Sequence, residues 1–450
     1  MKDVIEGKYN TRLFPSDWRW GAVIVGVSKY LKGYNIDCNL TDDYLEFNIE
    51  EITDEKYLIF AEDYFRDAMH HKKVEDLLET TWSEDKEADR IMAVNEKLSK
   101  SISSNTVMLK TFKGIEYNGQ NNSEIKKIID ENRLKLISDT FKGGRGLYYN
   151  FCNENNLLKE GGNSSRIRGY SLDMLKKGKS VAYMRDPSTF VYSDDKLFDF
   201  IPFAFSKTRD TFFINNNFNL KQLIKTNSRD FFDQTEIEKK MSNNLLYRIK
   251  KTSDFIDCDV EILYKEREKD YFETIYLREK ARRILNQINH KELETLIKPC
   301  KVKKDFVRLE KIIINNILNE IKLDDLIEML LKERNRSYLV SHLIKINELI
   351  YRGKNMTDKQ KLAHASAMEI REALKNTPRK IRVYEQRLVR AITLKDYDRV
   401  CEILLHISTD TQVSIGVAVD LFENFEDNKN LAYTFINALG EKRSIKGEEK

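Results

Sequence analysis

Histidines, paired carboxylates, glycine-rich loops and cysteines are the residues of this chain that could do chemistry, and each set can be tested by its spacing. The six histidines include one adjacent pair, His70-His71, which cannot share a helix face and lies in acidic sequence. There is no His-Asp doublet and no HExxH, so a metal-dependent nuclease or protease lacks its ligands. Asp42-Asp43, Asp194-Asp195 and Asp324-Asp325 pair carboxylates, but among 73 acids such pairs read as turn or helix-start residues. Gly178-Lys179-Ser180 resembles the end of a phosphate-binding loop. That motif needs a glycine where this chain has Asp173, and an acid there would repel phosphate, which argues against nucleotide hydrolysis. Cys38, Cys152, Cys258, Cys300 and Cys401 form no CxxC, so neither a zinc ribbon nor a disulfide framework is expected. The residues call for no metal and no cofactor.

Two spacings leave a catalytic alternative. Arg336 with His342, and Arg399 with His406, resemble the Arg-x(4–6)-His signature of HEPN ribonucleases, which cleave RNA without metal. The seven-residue step puts Arg399 and His406 on one helix face; the six-residue step turns Arg336 and His342 about 120° apart. Ser337 and Val400 stand where that signature carries a polar residue after the arginine.

The strongest physical signal is cationic. Taking Arg379 as zero and about 100° per residue, Ile381, Tyr384, Leu388, Ala391 and Ile392 fall on one arc of a helix. Arg379, Lys380, Arg382, Arg387 and Arg390 fall on the opposite arc, with only Glu385 at its border. A solvated face normally mixes both signs, so this one reads as a surface that tracks phosphates. Two glycine-rich stretches add a second candidate: Phe141-Lys142-Gly143-Gly144-Arg145-Gly146-Leu147-Tyr148-Tyr149, and Gly161 to Gly169 with Asn163, Arg166 and Arg168. Glycine lets backbone approach a groove, and Arg or Asn can read base edges; mobile surface loops have the same composition. Asn215-Asn216-Asn217 reads equally as a turn or as an amide array beside a base.

The elements that must position these residues divide the chain. It has 450 residues, 41% hydrophobic and 33% charged, enough to bury sizeable cores. The net charge of +4 hides a polarity: Asp37 to Arg90 holds 18 acids against 6 bases, and Phe141 to Arg185 holds 9 bases against 3 acids. No apolar run approaches the roughly 20 residues of a membrane span, and the first residues lack a signal-peptide core, so a cytoplasmic chain is expected. Strands are predicted at Tyr44–Ile49, Thr189–Tyr192 and Thr211–Ile214, and helices at Lys56–Met69, Ser123–Ser138 and Tyr271–Gln287. From about Lys303, helix follows helix: Asp305–Glu320, Leu323–Glu333, Ser337–Tyr351, Asp358–Lys375, Arg379–Thr393, Asp396–Ile407, Ser414–Phe425 and Asn428–Leu439. The fold class is therefore an α+β amino-terminal domain, residues 1–297, followed by an all-α carboxy-terminal helical bundle, residues 298–450, with Lys298–Lys304 as the junction.

Three stretches resemble the large subunit of type I-B CRISPR effector complexes, the RNA-guided surveillance assemblies of bacteria. They are Trp18-Arg19-Trp20-Gly21-Ala22-Val23-Ile24-Val25-Gly26 leading to the strand near Tyr44; Phe200-Ile201-Pro202-Phe203-Ala204-Phe205 followed by Phe213 to Asn217; and Arg387 to Ile392 before Asp396-Tyr397, with the closing Leu431 to Leu439. The resemblance implies a non-catalytic subunit whose partners are guide RNA, double-stranded target DNA, the backbone, guide-end and small subunits, and a separate helicase–nuclease. It implies an amino-terminal part that contacts the guide-end subunit and the flanking motif of the target, and a carboxy-terminal bundle beside small subunits of similar fold. Arg145, Asn163, Arg166, Arg168, Asn215, Asn216 and Asn217 are then candidates for the flanking motif. Arg379, Lys380, Arg382, Arg387 and Arg390 are candidates for the displaced strand. Some relatives carry paired CxxC motifs; this chain has none, so no zinc is carried over. Related genes can also initiate internally, and Met329 would begin a 122-residue helical product. A ribonuclease toxin and a helical adaptor without nucleic acid remain the alternatives.

Overall fold

The computed structural model describes residues 1–81, 86–102, 106–144, 146–160, 166–168, 195–207, 211–216, 219–228, 241, 244–254, 256, 258–267, 269, 271–302, 305–307, 309–333, 337–352 and 358–441. The chain forms two compact units: Met1–Phe232 with Val260–Tyr276, and Asp233–Asp259 with Leu277–Lys450.

The first unit opens with a four-stranded antiparallel sheet of order β1-β2-β4-β3, built from β1 (Lys2–Val4), β2 (Thr11–Leu13), β3 (Asn39–Leu40) and β4 (Leu45–Phe47). Between β2 and β3 runs α1 (Trp18–Gly33), started by Asp17, whose carboxylate accepts from the Arg19 and Trp20 amides. α1 is almost wholly buried because it meets the 3-10 helix Lys196–Phe203. The contact is close enough to dictate a residue: a Cβ on Gly26 would lie 2.2 Å from the Phe200 carbonyl oxygen. Around it Tyr57, Phe60, Tyr64, Phe65, Phe141, Phe200 and Phe203 pack ring against ring, several edge to face. Two of the three stretches that carry the family resemblance are thus the two halves of one packing contact.

The helices α2 (Asp54–Tyr64), α3 (His70–Glu79), α4 (Glu87–Ile102), α5 (Thr106–Phe112) and α6 (Asn122–Gly143) follow, then the short α7 (Tyr148–Phe151). A charged network joins α2, α3 and α6. Arg133 pairs with Glu62 at 2.7 Å and also with Glu75, His71 meets Glu62 at 2.6 Å, and Lys72 meets Glu75 at 2.9 Å. Glu62, Glu75 and His71 are buried, so part of the acidic stretch is internal and neutralised there. The second sheet, of order β5-β6-β7, uses β5 (Thr211–Asn215), β6 (Val260–Lys265) and β7 (Glu273–Leu277), with α8 (Leu220–Thr226) and α9 (Leu245–Ser253) between β5 and β6 in the chain. The helix predicted over Tyr271–Gln287 is therefore two elements. The β-branched and aromatic run Thr274-Ile275-Tyr276 takes the strand, and the helix starts only at Glu279.

The second unit contains α9, α10 (Glu279–Asn286) and α11 (His290–Ile297), then a hairpin of β8 (Cys300–Val302) and β9 (Asp305–Val307) where the junction was expected. The predicted helix from Asp305 begins instead at Leu309. From there the described chain is helical: α12 (Leu309–Leu318), α13 (Asp324–Leu331), α14 (Ser337–Arg352), α15 (Asp358–Ala373), α16 (Pro378–Thr393), α17 (Tyr397–Thr411), α18 (Ala418–Glu423) and α19 (Phe425–Gly440). The fold class is thus α+β followed by an all-α region, as the hydrophobic periodicity implied. No helix among the described residues is long and apolar enough to cross a membrane.

A buried polar network sets the bundle's register. Asn347 donates to Asp324 at 2.9 Å and to Asn430 at 2.8 Å, Asn430 donates to Glu348 at 2.7 Å, and Tyr433 donates to Glu328 at 2.8 Å. Met329 lies inside α13, one residue after Glu328. A product started there would lack Asp324 and Glu328, and would strip Asn347, Tyr351 and Tyr433 of the carboxylates they now reach.

Gly26→Ala is expected to destabilise the first unit by at least about 2 kcal/mol, because helix backbone must move to relieve the overlap. Gly33→Ala meets only Phe60 at ordinary contact distance, 3.5 Å, and is expected to be neutral or to stabilise by up to about 1 kcal/mol. Denaturant unfolding followed by tryptophan fluorescence, with Trp18 and Trp20 both on α1, separates the two outcomes.

Candidate nucleic-acid interface

α16 is a well-formed helix for local reasons. Pro378 occupies its first turn, where no amide donor is needed, and the chain leaves through Leu394 and a left-handed Lys395. Tyr384, Leu388, Val389, Ala391 and Ile392 are buried, and Ile381 is half-buried. Arg379, Lys380, Arg382, Arg387 and Arg390 are all exposed.

The five cations are not equivalent. Lys380 reaches across to α17 and pairs with both oxygens of Asp410, at 3.0 and 3.1 Å. Tyr384 also donates to Asp410, at 2.9 Å, and its hydroxyl lies 3.2 Å from His406 Nδ1. Lys380 and Tyr384 hold the Asp410 carboxyl below its ordinary range. Lys380 is therefore compensated within the bundle. Arg379, Arg382, Arg387 and Arg390 have no carboxylate partner among the described residues. This is a four-arginine face on a rigid helix, and what it can do chemically is neutralise a linear polyanion.

Arg399 and His406 do not meet each other. Arg399 pairs with Glu402 on its own helix, while His406 meets Tyr384. His342 is half-buried, and burial lowers its imidazole pKa; Arg336 lies outside the described residues. Among the described residues no three of His, Cys, Asp and Glu converge as metal ligands would.

The glycine-rich candidates part ways. Arg145, Asn163 and Asn217 lie outside the described residues. Arg166 is only 1% exposed, and its guanidinium pairs with Asp199 at 2.7 Å and donates to the carbonyls of Asn156 and Lys159. A guanidinium so enclosed is a structural group, not one presented to a duplex. Asp199 is the hub of this cluster: Tyr148 donates to it at 2.5 Å and the Leu158 amide at 2.9 Å, while Tyr57 donates to its backbone carbonyl at 2.6 Å. Burial raises the Asp199 carboxyl to about 6 in spite of Arg166. Asn215 and Asn216 are buried as well. Asn215 donates to Glu261 across the β5–β6 ladder at 2.9 Å, and Asn216 donates to Gln222 at 3.1 Å, so these amides are internal and not an array beside a base. Arg168 differs: its guanidinium stacks 3.8 Å from the centre of the Tyr149 ring, and Tyr149 is exposed.

Sequence reading missed Asp199 and Asp410. Asp199 is the lone acid within the apolar run Leu197-Phe198-Asp199-Phe200-Ile201-Pro202-Phe203, and a charge there must be buried with a partner. That signal was available. Asp410 carries no comparable mark, because its partner Lys380 is 30 residues away.

Among known proteins, no curated relative and no solved structure matches this chain. A family model does match, over residues 9–241 and 229–439, and it describes a CRISPR-associated protein. Those two stretches take in both units, and the chain belongs to the CRISPR-associated protein Csx8 family.

Arg166→Ala is expected to destabilise the first unit by about 3–5 kcal/mol, since it leaves the Asp199 carboxylate buried without its cation. Replacing both members, Arg166→Met with Asp199→Leu, is expected to cost clearly less than Arg166→Ala alone. Thermal melts of the two variants check this order.

Proposed function

We propose that this chain is the non-catalytic large subunit of a type I-B RNA-guided surveillance complex. It recognises the flanking motif of a target duplex, helps open the strands, and holds the displaced strand along α16. Its partners are guide RNA, target DNA, the backbone, guide-end and small subunits, and a helicase–nuclease recruited once the target is open. Membership of a CRISPR-associated family and the succession of an α+β unit and a helical bundle support this reading. The observation that carries it is the arginine face: four exposed guanidinium groups on one helix without a carboxylate among the described residues. In the first unit, Arg168, half-exposed and stacked on the exposed Tyr149, supports a duplex contact at that surface.

The energetics fit the role. Exchanging a DNA duplex for an RNA–DNA hybrid is nearly balanced, so a few backbone contacts decide whether the opened loop persists. Each phosphate neutralised on a single strand contributes about 0.7 to the slope of log K against log salt. Reversing Arg382, Arg387 and Arg390 to Glu in the assembled complex is therefore expected to lower that slope by about 2 and to shorten the lifetime of the opened target. The ranking of flanking motifs should be preserved. An unchanged loop lifetime overturns the assignment of α16 to the displaced strand.

A further inference from the structure

Next to the arginine face, a groove of about 460 Å³ opens between the end of α13 and α16. Its volume lies within the ~300–1,000 Å³ range of ligand-binding clefts. Leu331, Val389 and Leu394 give it an apolar lining, while Lys332 and Arg390 bring cations to it. Glu385, the acid at the border of the arginine arc, also lines the groove, and its carboxylate lies close against Gly440, where a Cβ would come within 2.5 Å of Oε1. Arg390 belongs to both the face and the groove, which makes the two features continuous. Leu394 is 66% exposed, so an apolar side chain stands in water beside the row of arginines.

We infer that this groove receives nucleobases of a single-stranded nucleic acid whose phosphates rest on the arginines of α16. The inference rests on the displaced-strand reading and adds what that reading leaves open, the fate of the bases. Charge complementarity selects the occupant: Lys332 and Arg390 at the groove, with Arg379, Arg382 and Arg387 along the same helix, favour a polyanion. The apolar lining has nothing to offer phosphate, but it takes the flat face of a base out of water. In a duplex those faces are already stacked and out of reach, so the groove makes the site selective for an unpaired strand and tolerant of its sequence.

The test uses the full chain and three fluorescent probes of equal charge: short oligothymidylate, an abasic oligonucleotide of the same length, and a duplex. Oligothymidylate is expected to bind about tenfold tighter than the abasic strand, the order one well-buried apolar contact contributes. Leu394→Gln, at an exposed position that folding tolerates, should erase that difference and leave abasic binding unchanged. Arg382→Glu with Arg387→Glu should weaken both single strands alike. Equal binding of oligothymidylate and abasic strand, both lost on arginine reversal, overturns the groove while leaving the displaced-strand reading intact. A duplex that binds as tightly as oligothymidylate overturns the single-strand selectivity. An acidic helical peptide that outcompetes oligothymidylate overturns the proposal in favour of a protein occupant. If arginine reversal changes neither probe binding nor loop lifetime in the assembled complex, the displaced-strand reading fails with it.

Discussion

The first unit is organised by one buried ion pair. Arg166 and Asp199 are each only 1% exposed, and such a pair is tolerated only when the remaining lone pairs and protons are met as well. Here they are met by Tyr148, by the Leu158 amide and by the carbonyls of Asn156 and Lys159, so separate segments are drawn to one carboxylate. Tyr57 of α2 adds a bond to the Asp199 carbonyl. The consequence reaches beyond the cluster. Asp199 sits in the middle of the 3-10 helix, so fixing it fixes the next residue, Phe200, whose carbonyl faces Gly26 of α1. Asp199 thus locks the position of the surface on which the longest buried helix of this unit lies.

That arrangement explains which parts of the sequence were legible. Helix periodicity reports on a residue's own element, and it located the bundle and both faces of α16 because each is a property of one helix. It could not see partners supplied by another element. Arg166 and Arg168 show the limit most plainly. They are two residues apart in one glycine-rich stretch, yet one is enclosed around Asp199 and the other stacks on an exposed tyrosine. Composition treats them alike; only the fold separates them. The strand Glu273–Leu277 was misread for a related reason. Its flanks are rich in charged residues that suit a helix, and the β-branched and aromatic core is only three residues long.

The two signs of charge have different fates. Carboxylates of the acidic stretch, such as Glu62 and Glu75, are drawn inward around Arg133, Lys72 and His71, where they stabilise the packing of α2, α3 and α6. Among the described residues, Lys380 is the cation of α16 that an acid answers, Asp410. Like charges on one face repel, and a bundle with acids available on neighbouring helices could have answered each arginine as it answered Lys380. Four left without a carboxylate among the described residues fit the proposed role of a surface that meets a polyanion.

Rigidity then matters as much as charge. From Arg379 to Arg390 the helix rises about 16 Å, and the buried face of Tyr384, Leu388, Val389, Ala391 and Ile392 holds that line against the bundle. Arginine side chains keep their own freedom, but their origins do not move, so a strand laid along them, as proposed, would meet a prepared track and lose less on ordering than on a mobile loop. Such a track reads no sequence, because phosphates are the same at every position. Sequence-blind holding is what a displaced strand requires, since its sequence changes with every guide while its backbone does not. On the proposed reading, discrimination among target sequences would fall to side chains such as Arg168, which stand on loops and not on a repeating helical face.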